Sequence, residues 1–434
     1  MNRDDPLEMW LIGGEREVDP AILEQYQAMT RQDLDKLEAW LDATNLPRRG
    51  SMPYVRGGRW TGGVPPAPED VERAKALHRR VFEQGGSGKR YAEEGLLGLL
   101  AATQDPAQIP FWVETAGLSR PRDSFANERR ALALSALALI AIRREDQAAF
   151  AALRGLAHHD NPHVRARAIY YLGRAYQGYE DMIEFGDISA EQIEEALAGR
   201  DFISVLAEGL IAESAAAQAK PEQEEAEEEI PPRPVPPDVA AELTEVATHD
   251  QAFEPRFLAR RILSIAGEPV PLDYPGGAYA FKVRFRHDKG MHRTIALQSE
   301  QNLEDLHLAI QRAIKWDDDH LYAFYMNGKL HDQRYEFASP WDRDASAWVD
   351  EAVIGELGLA LKHKFLYFFD YGDSHEFEVE VVDIKARAER GKYPRVIESK
   401  GAAPAQYWYG EEQEDEDLGD DDPDEGEEDE ADSS

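Results

Sequence analysis

The chain has 434 residues, a length typical of about two to four domains, and its 42% hydrophobic fraction excludes wholesale disorder. It carries 85 acidic residues against 48 Lys and Arg, and the resulting net charge of −37 disfavours non-specific binding to nucleic-acid phosphates. It contains no cysteine, which excludes disulfides, thiolate zinc sites, iron–sulfur clusters and a cysteine nucleophile.

The negative charge is concentrated in two short runs. Residues 411–434 contain sixteen acidic residues and no basic ones, and residues 222–229 contain six more. These runs hold 22 of the 37 net negative charges, so the rest of the chain is only moderately acidic. We predict that the tail and an insertion at about 215–237 are disordered and solubilising. The alternative is an interaction tail that competes with nucleic acid for a basic partner.

Neither the N-terminus nor any apolar stretch predicts contact with a membrane. Residues 1–10 lack the basic start and apolar run of a signal peptide. The longest apolar stretch, residues 131–142, is far too short to cross a bilayer. We expect a cytoplasmic protein with no membrane partner.

Residues 1–92 are predicted to contain helices around one Gly- and Pro-rich loop. Asp19 and Pro20 provide the N-cap and first turn of a helix that extends to about residue 43. The loop at 45–68 has four arginines and no acidic residue: Arg48, Arg49, Arg56 and Arg59. Arginines interleaved with aromatic residues are one way to bind anions or stack bases, which makes this a candidate anion-binding loop. We favour the alternative, in which its aromatic side chains pack on neighbouring helices.

Residues 93–270 are predicted to form an α-solenoid. Residues 153–175 read LRGLAHHDNPHVRARAIYYLGRA and resemble a HEAT repeat: Leu153, Leu156, Asp160, Pro162, Val164, Arg165, Ala168, Leu172 and Gly173 match its consensus. Residues 239–267 form a weaker second copy, and residues 96–116 a degenerate one. Each helical pair leaves an apolar face that only a neighbouring pair can cover, so the copies should stack.

Residues 275–410 change to the periodicity of strands. Phe281, Val283 and Phe285 alternate with charged residues, which predicts the first strand of a hairpin. A helix capped by Asn302 follows, and Asn327-Gly328 predicts a tight two-residue hairpin. With a second short helix near residues 350–359, the predicted order is β-β-α-β-β-α-β-β. The fold class is therefore multidomain, with an all-α region followed by an α+β sheet domain.

Three motifs of this last region resemble one family. They are KWDDDHLYAFYMNGK at 315–329, KFLYFFDYGDSHEFEVEV at 364–381 and YPRVIESKGAAPAQYWYG at 393–410. Together they resemble the plasmid pRiA4b ORF-3-like family, which is bacterial and often lies on plasmids or beside transposons. The resemblance implies a mobile-element context and supplies no reaction. His375 stands where relatives usually have Trp, and Phe377 where they usually have His. Relatives' cysteines near the last motif are absent, so a thiol or metal role does not carry over.

The motifs contain the candidate site residues of the chain. Asp370 and Asp373 bracket a glycine, and this pair can hold a divalent ion, act as an acid–base pair, or simply form a tight turn, which we favour. His320 follows three aspartates and is either a general base or a hydrogen-bonded strand residue. His375 and Arg395 complete the candidate binding residues, and we expect Arg395 to clamp a carboxylate of its own fold.

No reaction is predicted from these residues. The remaining histidines have no metal-ligand spacing, and neither a serine nucleophile elbow nor a dinucleotide fingerprint occurs. We therefore predict no catalytic residue, no cofactor and no metal ion. The favoured function is a non-enzymatic scaffold or adaptor that binds a protein partner. The alternatives are a nucleic-acid-associated accessory protein of a plasmid or transposon, and a hydrolase that uses Asp370, Asp373 and His320.

Overall fold

The computed structural model describes residues 20–43, 52–55, 65–84, 89–177, 235–286, 290–343, 345–403 and 405–406. A helical region is followed by an antiparallel sheet domain, as the sequence predicts. The helices are α1 Pro20–Asp42, α2 Pro68–Gln84, α3 Lys89–Ala101, α4 Ile109–Gly117, α5 Ala126–Arg143, α6 Gln147–Leu156, α7 Pro162–Gln177, α8 Pro237–His249, α9 Phe253–Ile265 and, within the sheet domain, α10 Leu303–Ile314. No described helix is long and apolar enough to cross a membrane.

Helix α5 forms the centre of the helical region. Its residues 131–141 are all buried, including Ser135, whose hydroxyl donates to the Leu132 carbonyl at 3.0 Å. The strand-like alternation of this segment is therefore overridden by the helix propensity of its alanines, as predicted. Arg129, at the N-terminal end of α5, is also fully buried and binds Glu93 and Asp123 at 2.8 and 2.7 Å.

Two helical pairs, α6–α7 and α8–α9, lie side by side between α5 and the sheet domain. Helix α7 is capped by Asn161, whose Oδ1 accepts the His163 N–H at 3.0 Å. The Arg165 guanidinium links the pairs, because its Nε and Nη2 donate to Asp250 at 2.7 and 2.8 Å. Gly173 allows the close approach of α7 and α9, since a Cβ there would lie 2.6 Å from the Ile262 side chain. The HEAT-repeat and solenoid assignments remain predictions.

The sheet has seven strands in the order β4-β3-β5-β6-β1-β2-β7, and every pairing is antiparallel. The strands are β1 Ala278–Phe285, β2 His292–Gln298, β3 Tyr322–Tyr325, β4 Glu336–Ala338, β5 Lys364–Phe369, β6 His375–Lys385 and β7 Arg395–Lys400. The β1–β2 and β5–β6 hairpins follow the predicted alternation. Phe281 and Val283 of β1, for example, face the core.

Helix α10 packs across one face of this sheet. Asn302 and Asp305 form a capping box at its start, with Asn302 as the predicted N-cap. His307 of α10 stacks on the Tyr322 ring at a centroid distance of 3.5 Å, and its Nδ1 lies 2.7 Å from the Tyr367 hydroxyl. Both rings belong to the sheet, so the contact fixes the helix against β3 and β5.

The short second helix predicted near residues 350–359 is present only as one 3-10 turn. It covers Ile354–Glu356 and extends no further, because the backbone here pairs with the segment after β2. The Ile354 and Gly355 N–H groups donate to the Gln301 and Ser299 carbonyls, each at 2.8 Å. The observed order is therefore β-β-α-β-β-β-β-β.

The predicted two-residue hairpin at Asn327-Gly328 is wrong, because Tyr325 pairs with Glu336. Gly328 does adopt a left-handed backbone, but the Asn327 side chain donates to Asp332 at 2.8 Å and holds a wider loop. The chain returns to pair with β3 only at β4.

The insertion predicted at 215–237 overlaps a helix at its end. Helix α8 begins at Pro237, the last residue of that predicted insertion. Residues 215–234 lie outside the described residues.

Helix α9 joins the helical region to the sheet domain through three arginines. Arg256 donates through Nε and Nη2 to the Gly358 carbonyl at 3.0 and 2.7 Å. Arg260 is only 2% exposed and donates to the carbonyls of Pro271 and Gly355 and to Asp273. Arg261 donates to the carbonyls of Arg334 and Glu336 at 3.2 and 2.8 Å. One apolar core continues across this junction.

Apolar burial lowers the pKa of three histidines. The pKa of His78 falls to about 3, that of His307 to about 3 and that of His363 to about 4, because burial penalises the charged imidazolium. The unfolded chain takes up these protons near the ordinary His pKa of about 6.5, so it binds more protons than the folded chain below that pH. The contribution of these three histidines to stability should therefore be complete above about pH 6.5 and decline as pH falls toward 4.

We expect His78→Phe to reduce this pH dependence. His78 contacts Phe111 edge-on, and neither of its ring nitrogens has a hydrogen-bond partner among the described residues, so a phenyl ring suits its site. The slope of unfolding free energy against pH between 4 and 6 should fall by about 1.4 kcal/mol per pH unit, the equivalent of one proton. Urea unfolding followed by circular dichroism measures the slope. The exposed His158→Phe should leave it unchanged, and an unchanged slope in His78→Phe would contradict the account.

Candidate functional site

Four of the predicted site residues meet at one end of the sheet. His320 lies just before β3, Asp370 follows β5, Asp373 lies in the next turn, and His375 opens β6. Strand β5 is antiparallel to both β3 and β6, so the end of β5 adjoins the start of each neighbour. We call this group of four side chains the His–Asp cluster.

Asp370 is the structural centre of the cluster. It is only 6% exposed and has a left-handed backbone with a φ of 57°. Its Oδ1 accepts the N–H groups of Gly372 and Asp373 at 3.0 and 3.2 Å, and its carbonyl accepts the Ser374 N–H at 2.7 Å. This carboxylate therefore organises the tight turn, while its second oxygen, Oδ2, lies 3.7 Å from His320 Nε2.

The cluster brings potential metal ligands close together. One ligand atom from each of Asp370, Asp373 and His375 lies within 4.8 Å of the other two. Asp370 is buried, His375 is half-buried and Asp373 is exposed, so the group opens to solvent on one side. A buried carboxylate, an exposed carboxylate and an imidazole at this spacing are able to hold a cation or to exchange protons.

An aromatic wall supports His375. Its ring lies 4.6 Å from the Trp316 ring, 6.1 Å from that of Phe285 and 6.5 Å from that of Phe369. Its Nε2 is buried and has no hydrogen-bond partner among the described residues. Trp316 was not predicted as a site residue; its signal in the sequence is its place directly before the three aspartates that lead to His320.

The rim of the cluster is acidic and apolar. Asp317, Asp318 and Asp319 are exposed beside His320. On another side, the Tyr371 hydroxyl donates to Asp342 Oδ2 at 3.3 Å, and partial burial together with Asp342 raises the pKa of Tyr371. Trp341, the neighbour of Asp342 in the chain, is 83% exposed. Sequence reasoning missed Trp341 and Tyr371, because nothing in the local pattern marks their exposure.

The other predicted site residues lie elsewhere. Arg395 belongs to β7, the strand at one edge of the sheet; its guanidinium binds Glu389 and lies 4.8 Å from the Tyr393 ring centroid. It therefore does not contribute to the His–Asp cluster. The candidate anion-binding residues and the acidic tail fall outside the described residues: Arg48, Arg49, Arg56, Arg59 and residues 411–434.

Comparison with known proteins identifies a domain in the C-terminal third. The model of the plasmid pRiA4b ORF-3-like protein family matches residues 277–429, a range that contains the sheet and the His–Asp cluster. Among solved structures, a protein of unknown function, MM3350 from Methanosarcina mazei Go1, is 25% identical, with a TM-score of 0.26. The match covers 30% of this chain and 71% of that one. No curated protein matches the chain.

Two substitutions separate the turn-forming role of Asp370 from its charge. Asp370→Ala removes the acceptor for two N–H groups and places alanine in a left-handed backbone, so it should lower the free energy of unfolding by about 1–2 kcal/mol. Asp370→Asn keeps an oxygen for both bonds and tolerates that backbone, so it should cost far less. Urea unfolding compares the two variants. Equal losses would show that the carboxylate charge, and not the turn, is what the fold requires.

Proposed function

We propose that the protein is a non-enzymatic protein-binding scaffold that recognises its partner beside the His–Asp cluster. The contact region is formed by Leu321, Trp341, Asp342 and Tyr371, which we call the Trp341 surface. Leu321 precedes β3 and Tyr371 follows β5, so both lie at the same end of the sheet, and Tyr371 is hydrogen-bonded to Asp342.

The main evidence for this proposal is the exposure of the Trp341 side chain. Its side chain is the most exposed of the large apolar residues that the structure describes, and Leu321 and Tyr371 are also exposed. Tryptophan and tyrosine are enriched among the residues that dominate the energy of protein interfaces. A lone exposed apolar residue needs no explanation, but three at one end of a sheet favour a binding surface.

The charge of this region favours a basic partner. Asp342 lies within the Trp341 surface, the exposed Asp373 follows Tyr371 by two residues, and the exposed Asp317, Asp318 and Asp319 lie just before Leu321 in the chain. A partner segment that carries Lys or Arg next to an apolar side chain would complement this surface. Its cation would be attracted by the carboxylates and by the face of the indole ring.

The backbone under Trp341 is held in place, which favours binding. The Ser339 N–H donates to the Tyr322 carbonyl at 2.8 Å and the Asp342 N–H to the Ser339 carbonyl at 2.9 Å. Trp348 Nε1 donates to the Asp342 carbonyl at 3.2 Å. A loop ordered before binding loses less conformational entropy when a partner arrives.

Affinity purification from the native host with matched variants tests the proposal. The full chain and Tyr91→Ala, which removes an exposed aromatic ring from helix α3, should retain the same specific protein after nuclease treatment. Trp341→Ala should lose that protein, because truncating a central interface tryptophan costs about 2 kcal/mol or more, roughly a thirtyfold weaker complex.

Two results would contradict this assignment. Equal retention by Trp341→Ala and Tyr91→Ala would show that the Trp341 surface does not bind the partner. Loss of all retained protein on nuclease treatment would favour the nucleic-acid alternative, and attention would then move to Arg48, Arg49, Arg56 and Arg59.

A hydrolase is the second candidate, supported by the way His320, Asp370 and Asp373 come together. The imidazole of His320 lies 3.7 Å from the Asp370 carboxylate, which is longer than a hydrogen bond, and a small side-chain movement would let the carboxylate orient the imidazole as a general base. A hydrolytic activity that disappears in His320→Ala and persists in Trp341→Ala would favour this candidate over the scaffold.

A further inference from the structure

We propose that Asp370, Asp373 and His375 bind a divalent first-row transition-metal ion, for which Zn²⁺ is the probe. The proposal goes beyond the scaffold function and does not depend on it, because none of the three ligands belongs to the Trp341 surface. The sequence marks Asp370 and Asp373 as a pair able to hold a divalent ion, although it led us to predict no metal ion, and the structure adds His375 as a third ligand.

The spacing of the ligand atoms fits one ion. Zinc–nitrogen and zinc–oxygen bonds are about 2.0–2.2 Å long, so the ligand atoms of one tetrahedral ion lie about 3.3–3.6 Å apart. The three ligand atoms already lie within 4.8 Å of one another. Asp373 is exposed and lies in a turn, so rotation of its side chain can bring its carboxylate about 1 Å closer to the other two ligands.

The fold orients two of the ligands before any ion binds. Two backbone N–H groups hold Asp370 through Oδ1, which leaves Oδ2 directed toward His320. His375 is fixed by its strand and by the Trp316 ring, and its buried Nε2 has no hydrogen-bond partner in the part of the chain that the structure describes. An imidazole in an aromatic wall with an unused nitrogen is suited to donate a lone pair to a metal.

The donor set selects the class of ion. Two carboxylates match the charge of a divalent cation, and one imidazole favours Zn²⁺, Mn²⁺, Fe²⁺ or Co²⁺ over Mg²⁺ and Ca²⁺, which prefer oxygen. The chain has no cysteine, so thiolate-preferring ions gain nothing here. Three protein ligands with one exposed member leave coordination positions for water or for a partner's side chain.

His320 is a positioning residue in this site. Its Nε2 lies 3.7 Å from Asp370 Oδ2 and 3.3 Å from Asp319. A group that fixes the orientation of a metal ligand contributes about tenfold to a hundredfold in affinity. His320→Ala should therefore weaken Zn²⁺ binding without removing it.

Competition between the full-length protein and a chromophoric chelator measures Zn²⁺ affinity. The protein should bind one Zn²⁺ tightly, and His375→Ala and Asp373→Asn should each weaken that site at least about tenfold. The matched control is His249→Ala, an exposed helical histidine, which should bind as the unchanged protein does. Trp341→Ala should also bind normally. The acidic runs are present in every variant, so weak binding to them cancels in the comparison.

Two further measurements distinguish loss of the metal site from a folding defect in His375→Ala. Because Asp373 is exposed, Asp373→Asn should unfold at the same urea concentration as the unchanged protein while losing the site. Co²⁺ should give visible absorption bands that report an imidazole ligand in the unchanged protein, and these bands should change in His375→Ala. Equal Zn²⁺ affinity in the unchanged protein, His375→Ala and Asp373→Asn would overturn the proposal, as would binding that only the acidic tail accounts for.

Discussion

The structure depends on hydrogen bonds that the arginines of helix α9 donate to backbone carbonyls of the sheet domain. Arg260 is almost fully buried and satisfies four oxygen acceptors, one on its own helical pair and three on the segment that enters or flanks the sheet. A buried guanidinium is costly unless its N–H groups are paired, so this arrangement is specific as well as stabilising. Arg256 and Arg261 repeat the same kind of contact at either side. The helical region and the sheet domain are thus joined by directed hydrogen bonds as well as by a shared apolar core.

A similar arginine contact joins the two helical pairs α6–α7 and α8–α9. Arg165, near the start of α7, donates to the carbonyls of the preceding turn and binds Asp250 of the next helical pair. Arg256, near the start of α9, donates to the Asp250 carbonyl of its own preceding turn and to Gly358 of the sheet domain. The sheet domain is therefore joined to the second helical pair by the same kind of arginine contact that joins the two pairs to each other. This packing leaves the end of the sheet that carries the His–Asp cluster and the Trp341 surface accessible to solvent.

Local patterns predicted the parts of the fold whose hydrogen bonds are local. Helix α5, the capping box of α10 and the β1–β2 and β5–β6 hairpins follow from propensity, capping and alternation. The errors occur where distant backbone groups compete. The segment around Ile354 pairs with residues 299–301 instead of forming a longer helix, and Asp332 holds Asn327 in a wide loop. A prediction from the local sequence around each segment cannot identify these competing hydrogen-bond partners.

In the candidate site, too, local sequence predicts the individual residues but not the long-range contacts that bring them together. The sequence indicated four site residues because their carboxylate and imidazole groups can bind ions or transfer protons: Asp370, Asp373, His320 and His375. Two of them come from one turn, and the other two lie at the starts of different strands. Their meeting depends on the β3–β5–β6 pairing, which a pattern of single strands does not give. Trp316 and Trp341 illustrate the limit further: one is buried beside His375 and the other almost fully exposed, a difference that only the packing establishes.

Native-state hydrogen exchange in increasing urea, followed by mass spectrometry, tests most directly whether the helical region and the sheet domain are one cooperative unit. Our account predicts that the slowest amides of Phe253–Ile265 and of Ala278–Phe285 exchange with the same free energy of opening and the same dependence on urea, because both require the arginine contacts to break. Exchange of the helix at a clearly lower free energy, while the strand stays protected, would show that the two regions unfold independently and would contradict the account.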